Sequence, residues 1–372
     1  MGTISYLVPF IILITVVVFV HEYGHYYFAK KYGVGVTDFS IGFGKEIFGF
    51  NDKAGTRWKF CLIPLGGYVK FFGDRNVFSQ AEQKEILKKY QKSDQEKLFI
   101  TKPLYQRVLI LAGGPLANFL LAVFIFSFIY MFIGKDFTPA KIAEVSVESP
   151  AEQVGLKKGD IIISIDKNKV ESILEVSTFI NTSTSNKINI TVLRDEKKLS
   201  FNTEPKIIDS KDAFGNSLKK KIIGIKLTPA SEKQIREKLG PINALYYSFN
   251  EIWFVCKTTI KFIGSLFQGK GDTSQLGGPI KIAKISGQVM EFGILAFVST
   301  IAYISISLGL VNLFPIPLLD GGHLMFCLIE KIKGKPLSQS TQEGLFRIGL
   351  FLLISLMVFT TFNDLWDLGI FH

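Results

Sequence analysis

Histidine and cysteine are scarce in this chain of 372 residues, with four of the first and three of the second. Cys61, Cys256 and Cys327 lie far apart and form no C-x-x-C pair, which argues against both a disulfide framework and a cysteine zinc site. No arginine-rich or aromatic-interleaved basic patch stands out, so the net charge of +11 does not point to nucleic acid. Met1 to Tyr6 carries no Lys or Arg, and no A-x-A site follows the apolar run behind it. That run therefore reads as a retained span rather than a cleaved signal peptide. An inverted repeat of the kind transporters carry is also missing.

Apolar residues are abundant: 48% of the chain is hydrophobic, 34 residues are Phe, and the mean hydropathy is +0.29. This is a membrane protein's composition, while 20% charged residues require polar regions outside the bilayer. Four segments are long and apolar enough to span: Leu7 to Phe28, Val108 to Ile133, Ile294 to Leu313 and Ile348 to Phe362. A fifth, Ile242 to Phe267, is interrupted by Glu251, Lys257 and Lys261 and reads as an amphipathic helix on the membrane surface. Lys and Arg gather between the first two spans and again at Lys331, Lys333, Lys335 and Arg347. These loops are assigned to the cytoplasm, which puts both termini outside it.

The expected fold is an α-helical polytopic membrane protein with about four transmembrane helices, a membrane-associated β-rich loop and one extracytoplasmic α+β domain. Residues 1–30 form the first span, and 31–107 a cytoplasmic-side loop. The first half of that loop has a strand-and-turn pattern, and Ser79 to Glu96 reads as a solvated helix. Residues 108–134 form the second span, 135–230 the α+β domain and 231–292 the amphipathic segment. Residues 293–330 carry the third span and an aspartate motif, and 331–372 a cytoplasmic loop and the fourth span.

The chemistry concentrates in HEYGH, residues 21–25, at the end of the first apolar run. Positions i and i+4 share a helix face, so His21 and His25 can grip one metal ion, with Glu22 beside them as a proton acceptor for an attacking water. The bland alternative is a pair of interfacial histidines, but ionisable groups inside an apolar span are functional by default. A catalytic zinc needs a third protein ligand. NLFPIPLLDGGH, Asn312 to His323, offers Asp320 and His323. On the residues alone, Asp320 is equally readable as a turn or helix-cap aspartate, since D-G-G is a turn signal. Asn118, at membrane depth in the second span, needs a polar partner there, and a helix–helix hydrogen bond is the simplest one.

Ser149 to Val170, SPAEQVGLKKGDIIISIDKNKV, resembles a PDZ domain of the bacterial protease type, with the likeness running over about Pro139 to Pro229. HEYGH, then GFG and PLGGYV, then this domain, then NLFPIPLLDGGH together resemble the site-2 protease family of intramembrane zinc metalloproteases, on its sigma-E-regulating bacterial branch. The resemblance implies a Zn2+ cofactor bound by His21, His25 and Asp320, with Glu22 catalytic and Asn312 in contact with substrate. It implies an enzyme of the bacterial inner membrane that acts in regulated intramembrane proteolysis. Its substrates would be the transmembrane segments of anti-sigma factors, pre-trimmed by another protease, and of remnant signal peptides. Well-known relatives carry two PDZ domains in tandem; this chain has room for one. A metal or proton transporter and an inactive PDZ-bearing scaffold are the rival readings.

Overall fold

The computed structural model describes residues 4–73, 90–183, 185–211, 217–231, 235–269 and 271–367. The chain divides into two compact units, Met1–Ile125 with Gly277–His372, and Phe126–Leu276. Most of the charged stretch expected as a helix from Ser79 lies outside the described residues; within them it contributes the short helix Lys92–Gln95.

The first unit is built on helices. Helix α1 (Ile4–Lys31) runs into a long antiparallel hairpin, β1 (Val36–Asn51) and β2 (Arg57–Phe71), and the chain then enters α2 (Leu104–Phe132). Four helices are long and apolar enough to cross a membrane: Ser5–Lys31, Leu104–Phe132, Ile294–Asn312 and Gln339–Trp366. They contain the first and fourth spans expected from hydropathy, while the second and third helices stop one residue short, at Phe132 and Asn312. Each is as long as or longer than the apolar run alone, apart from the third, because helical hydrogen bonding continues into the polar flanks. Helices α1 and α2 meet backbone to backbone. A Cβ on Gly24 would fall 2.1 Å from the Gly113 carbonyl oxygen, and one on Gly113 would fall 2.6 Å from that of Gly24. Such contact is how helices associate where lipid offers no hydrophobic drive between them. In the hairpin, Val36 sits opposite Phe71 and Asn51 opposite Arg57, and Ile47, Phe48, Phe60 and Leu62 are exposed.

The second unit carries β3 (Ala140–Val145), helix α3 (Pro150–Gln153), β4 (Ile161–Ile165), helix α4 (Ile173–Thr182), β5 (Ile188–Arg194) and β6 (Lys197–Thr203). A separate hairpin, β7 (Lys206–Lys211) and β8 (Ser217–Ile222), precedes β9 (Ile225–Pro229). The main sheet is antiparallel in the order β9-β3-β4-β5-β6. Its inner face alternates β-branched residues, and Ile142, Ile162, Ile165, Ile188, Ile190 and Val192 close into one core with Val176 and Ile180 of α4. The stretch Ile242 to Phe267 forms helix α5 (Pro241–Phe267), with Trp253 and Tyr246 exposed.

The C-terminal part of the first unit continues with α6 (Pro279–Glu291), α7 (Ile294–Asn312), α8 (Asp320–Lys333) and α9 (Gln339–Asp367). Asp364 of α9 is almost fully buried and accepts hydrogen bonds from the N–H groups of Gly278, Ile280 and Lys281 at 2.9, 3.1 and 3.0 Å. It thereby satisfies the donors that the start of α6 leaves open. Arg107 donates to both carboxylate oxygens of Glu330, at 3.0 and 2.5 Å, and ties the start of α2 to α8.

Candidate metal centre

The HEYGH stretch stays helical, so His21 and His25 point from one face of α1. The first residue of α8, Asp320, arrives against them. His21 Nε2 and His25 Nε2 are 3.3 Å apart, and Asp320 Oδ2 lies 3.2 Å from the first and 3.3 Å from the second. Three donors at the corners of a tetrahedral zinc site with bonds of 2.0–2.1 Å are separated by about 3.3 Å, so this triangle matches one face of such a site. The two histidines are buried, and Asp320 Oδ2 has no hydrogen-bond partner among the described residues. Three lone-pair atoms converging on one point repel one another unless a cation or protons lie between them. Among the described residues this is the group of histidine, cysteine and acidic side chains arranged to hold a metal ion.

The tautomer of His25 follows from its other nitrogen. Nδ1 lies 2.8 Å from the Ile110 carbonyl oxygen, which can only accept, so Nδ1 carries the proton and Nε2 presents its lone pair. The neighbouring glycine explains why the site has room. A Cβ on Gly114 would stand 2.3 Å from His25 Nε2 and 2.8 Å from His21 Nε2. Any side chain there would collide with both imidazole rings. Nothing in the spacing of Gly114 from HEYGH shows in the sequence that it faces the histidines.

Glu22 lies next to this face, with Val69 of β2 beside its carboxylate. Gly67, in the same strand, lets the hairpin come close, since a Cβ there would be 3.0 Å from Glu22 Cγ. The G-G of PLGGYV therefore has a steric purpose at the base of the site.

Of the two candidates in the DGGH motif, the structure brings Asp320 to the histidines and leaves His323 outside the cluster. His323 packs against Phe326 and Phe346, and its Nδ1 is buried without a hydrogen-bond partner among the described residues. Asn312 is half-buried in the last turn of α7. Asn118 is fully buried, with Nδ2 3.2 Å from His21 Nδ1 and its backbone carbonyl accepting from Ser305 Oγ at 2.9 Å. The partner the sequence demanded for Asn118 is thus a histidine of the site.

The sequence profile described as Peptidase family M50 matches residues 9–356. The chain belongs to this family, the site-2 proteases. A protein of Agrobacterium fabrum named as a zinc metalloprotease is 40% identical over 98% of this chain and 96% of its own length. One of Brucella suis with the same kind of name is 39% identical over 98% of this chain and 95% of its own. Metalloprotease MmpA of Caulobacter vibrioides is 31% identical, again over 98% of this chain and 96% of its own. The four apolar helices and the family together make the chain a multi-pass membrane protein.

In this M50 peptidase the aspartate is delivered by a tightly folded loop. Leu318 has a φ of +86°, and a Cβ on Gly321 would lie 2.3 Å from the carbonyl oxygens of Leu313 and Phe314. A Cβ on Gly322 would lie 2.4 Å from that of Ile316. The loop folds back onto the first turn of α8, which only glycine at both positions allows. Gly349 of α9 meets Pro317 in the same way, with a Cβ 2.1 Å from its carbonyl oxygen. The backbone strain at Leu318 is offset by this packing, and the result is a carboxylate held at a fixed place beside α1.

Proposed function

We propose that this M50 metalloprotease is an intramembrane zinc endopeptidase that cuts the transmembrane segments of other membrane proteins. The observation that carries the reading is the triangle of His21, His25 and Asp320, whose sides fit three zinc ligands and which lies at apolar helices. Zinc, when bound there, supplies a Lewis acid for the scissile carbonyl and lowers the pKa of water toward about 7. Glu22 takes the proton of the attacking water and passes it to the departing amine, acting first as base and then as acid. Asn312, at the end of α7, is the proposed contact to the substrate backbone.

A helical substrate hides its peptide bonds in internal hydrogen bonds and has to unwind before attack. The hairpin of β1 and β2, packed against Glu22 through Gly67, offers an edge to which an unwound segment adds as a strand. The sheet of the second unit is read as a single PDZ domain, with β9 as its free edge strand and α4 as the helix across the groove. This reading rests on the SPAEQVGLKKGD pattern and on the strand order. We place the protein in a bacterial inner membrane, with the metal site toward the cytoplasm and both termini and the PDZ domain on the other side. The proposed substrates are anti-sigma factors already shortened on the outer side, and remnant signal peptides. A transporter would not need a glutamate beside the ligands, and an inactive scaffold would not need the ligand set.

The test is zinc content and cleavage by purified protein, with a full-length and a pre-trimmed membrane substrate. Wild type should hold one zinc and cut the trimmed substrate faster. Glu22→Gln should keep zinc and lose cleavage by about 10²–10⁴-fold, the usual worth of a general base. Substantial cleavage by that variant would reject the mechanism. For the topology, single cysteines at Lys335 and Lys187 in a background lacking native cysteine should label from opposite faces with an impermeant reagent. Labelling of both from outside would overturn the arrangement.

A further inference from the structure

One face of α2 supplies the surroundings of both histidines. Ile110, Gly114 and Asn118 are spaced i, i+4, i+8 and so lie in a row. Ile110 orients His25 through its carbonyl, and Gly114 clears the space between the rings. Asn118 stands one turn further on, against His21 Nδ1.

As placed, the Asn118 amide has two faults. Its Nδ2 faces His21 Nδ1, so an N–H donated there would force the imidazole proton onto Nε2, the atom aimed at Asp320 and His25. Its Oδ1 is buried without a hydrogen-bond partner among the described residues. Amide oxygen and nitrogen are assigned from the surrounding network, and a half-turn of the amide exchanges them. One amide atom stays unpartnered in either orientation, so the choice is decided by what His21 requires. With Oδ1 toward Nδ1, the amide accepts the Nδ1–H hydrogen bond, and His21 Nε2 keeps its lone pair. His21 then matches His25, whose Nδ1–H is held by the Ile110 carbonyl.

We propose that Asn118 is a positioning residue that fixes the tautomer of His21 by accepting its Nδ1–H, so that α2 carries an oxygen acceptor for each ligand histidine. The inference rests on the reading of His21, His25 and Asp320 as metal ligands. Removing such an acceptor typically weakens metal affinity by about 10–100-fold.

The experiment measures the zinc dissociation constant of the purified full chain by chelator competition, with thermal unfolding of each metal-free protein as a folding control. Asn118→Leu, close in size and without an acceptor, should bind zinc about 10–100-fold more weakly. Asn118→Asp, which can only accept, should stay within about threefold of wild type or bind more tightly, as a carboxylate raises the ligand's basicity. A residue needed only for helix packing in a bilayer predicts the reverse ranking, because Leu suits an apolar span and a buried carboxylate does not. The inference fails if Asn118→Leu binds like wild type, or if Asn118→Asp loses as much affinity as Asn118→Leu. Asn118→Ala takes the place of the Leu variant, with the same criteria, should that one not fold. His21→Ala separates the two levels: if it retains wild-type zinc affinity, or if wild type binds none, the ligand reading itself fails.

Discussion

The two units solve the burial problem in opposite ways. The sheet of the second unit turns its β-branched side chains inward, and Ile165, Ile188, Ile190 and Val192 are inaccessible. The helical unit leaves Leu120, Phe124 and Phe351 about two-thirds exposed, and its interior mixes buried apolar residues such as Leu13, Ile110 and Ile306 with polar atoms and closely packed glycines. Lipid accounts for the difference. A side chain facing hydrocarbon gains nothing by moving to the interior, so helices there are held by close backbone contact and by polar pins such as Asp364 and the Arg107–Glu330 pair. In the sheet, water supplies the drive, and volume filling decides stability. Packing therefore protects the fold of one unit, while in the other it also keeps open the space beside His21 and His25.

The largest effect that sharpens this contrast should come from one methyl group. Gly114→Ala puts a Cβ within 2.3 Å of His25 Nε2, and zinc retention after purification should be lost while the far-ultraviolet circular dichroism keeps its helical shape. Wild-type zinc content in this variant would mean that the glycine serves helix packing alone. An intermediate effect is expected in the sheet. Ile188→Ala removes a fully buried side chain, which should lower stability by about 2–5 kcal/mol, and calorimetry should show it as a lower unfolding temperature at unchanged zinc stoichiometry. Loss of zinc with this substitution would show that the two units are not independent in the way the contrast supposes.

The smallest expected effect concerns acid. Burial alone would raise the Asp160 carboxyl, but hydrogen bonds from Arg194 at 2.6 and 2.7 Å, and from the Lys157 N–H at 2.9 Å, outweigh it and hold the group below the usual carboxylate range. A depressed folded-state pKa contributes stability that is present above the unfolded value of about 3.9 and is lost as pH falls below it. The unfolding temperature of the second unit should therefore drop below about pH 4 more steeply in wild type than in Asp160→Asn. Parallel curves would remove this ion pair from the account.

The sequence carried what depends on local spacing. Hydropathy marked the four long helices because a span needs about 20 apolar residues in a row. HEYGH placed His21 and His25 on one face, because i and i+4 on a helix point the same way whatever surrounds them. Strand-and-turn patterning announced the hairpin after the first span, and the resemblance over Pro139 to Pro229 announced the mixed helix and strand content of the second unit. The choice between Asp320 and His323 was not legible in the residues themselves, since both follow one apolar span and D-G-G is an ordinary turn; only the family resemblance favoured the aspartate. Tertiary structure decided that point through the loop bent by Gly321 and Gly322, which sets Asp320 against α1. It also decided the roles of Gly67, Gly114 and Asn118, each defined by an atom far away in the chain: Glu22 Cγ, the two Nε2 atoms and His21 Nδ1. Periodicity tells which face of a helix a residue occupies; what that face meets is fixed only when the helices pack.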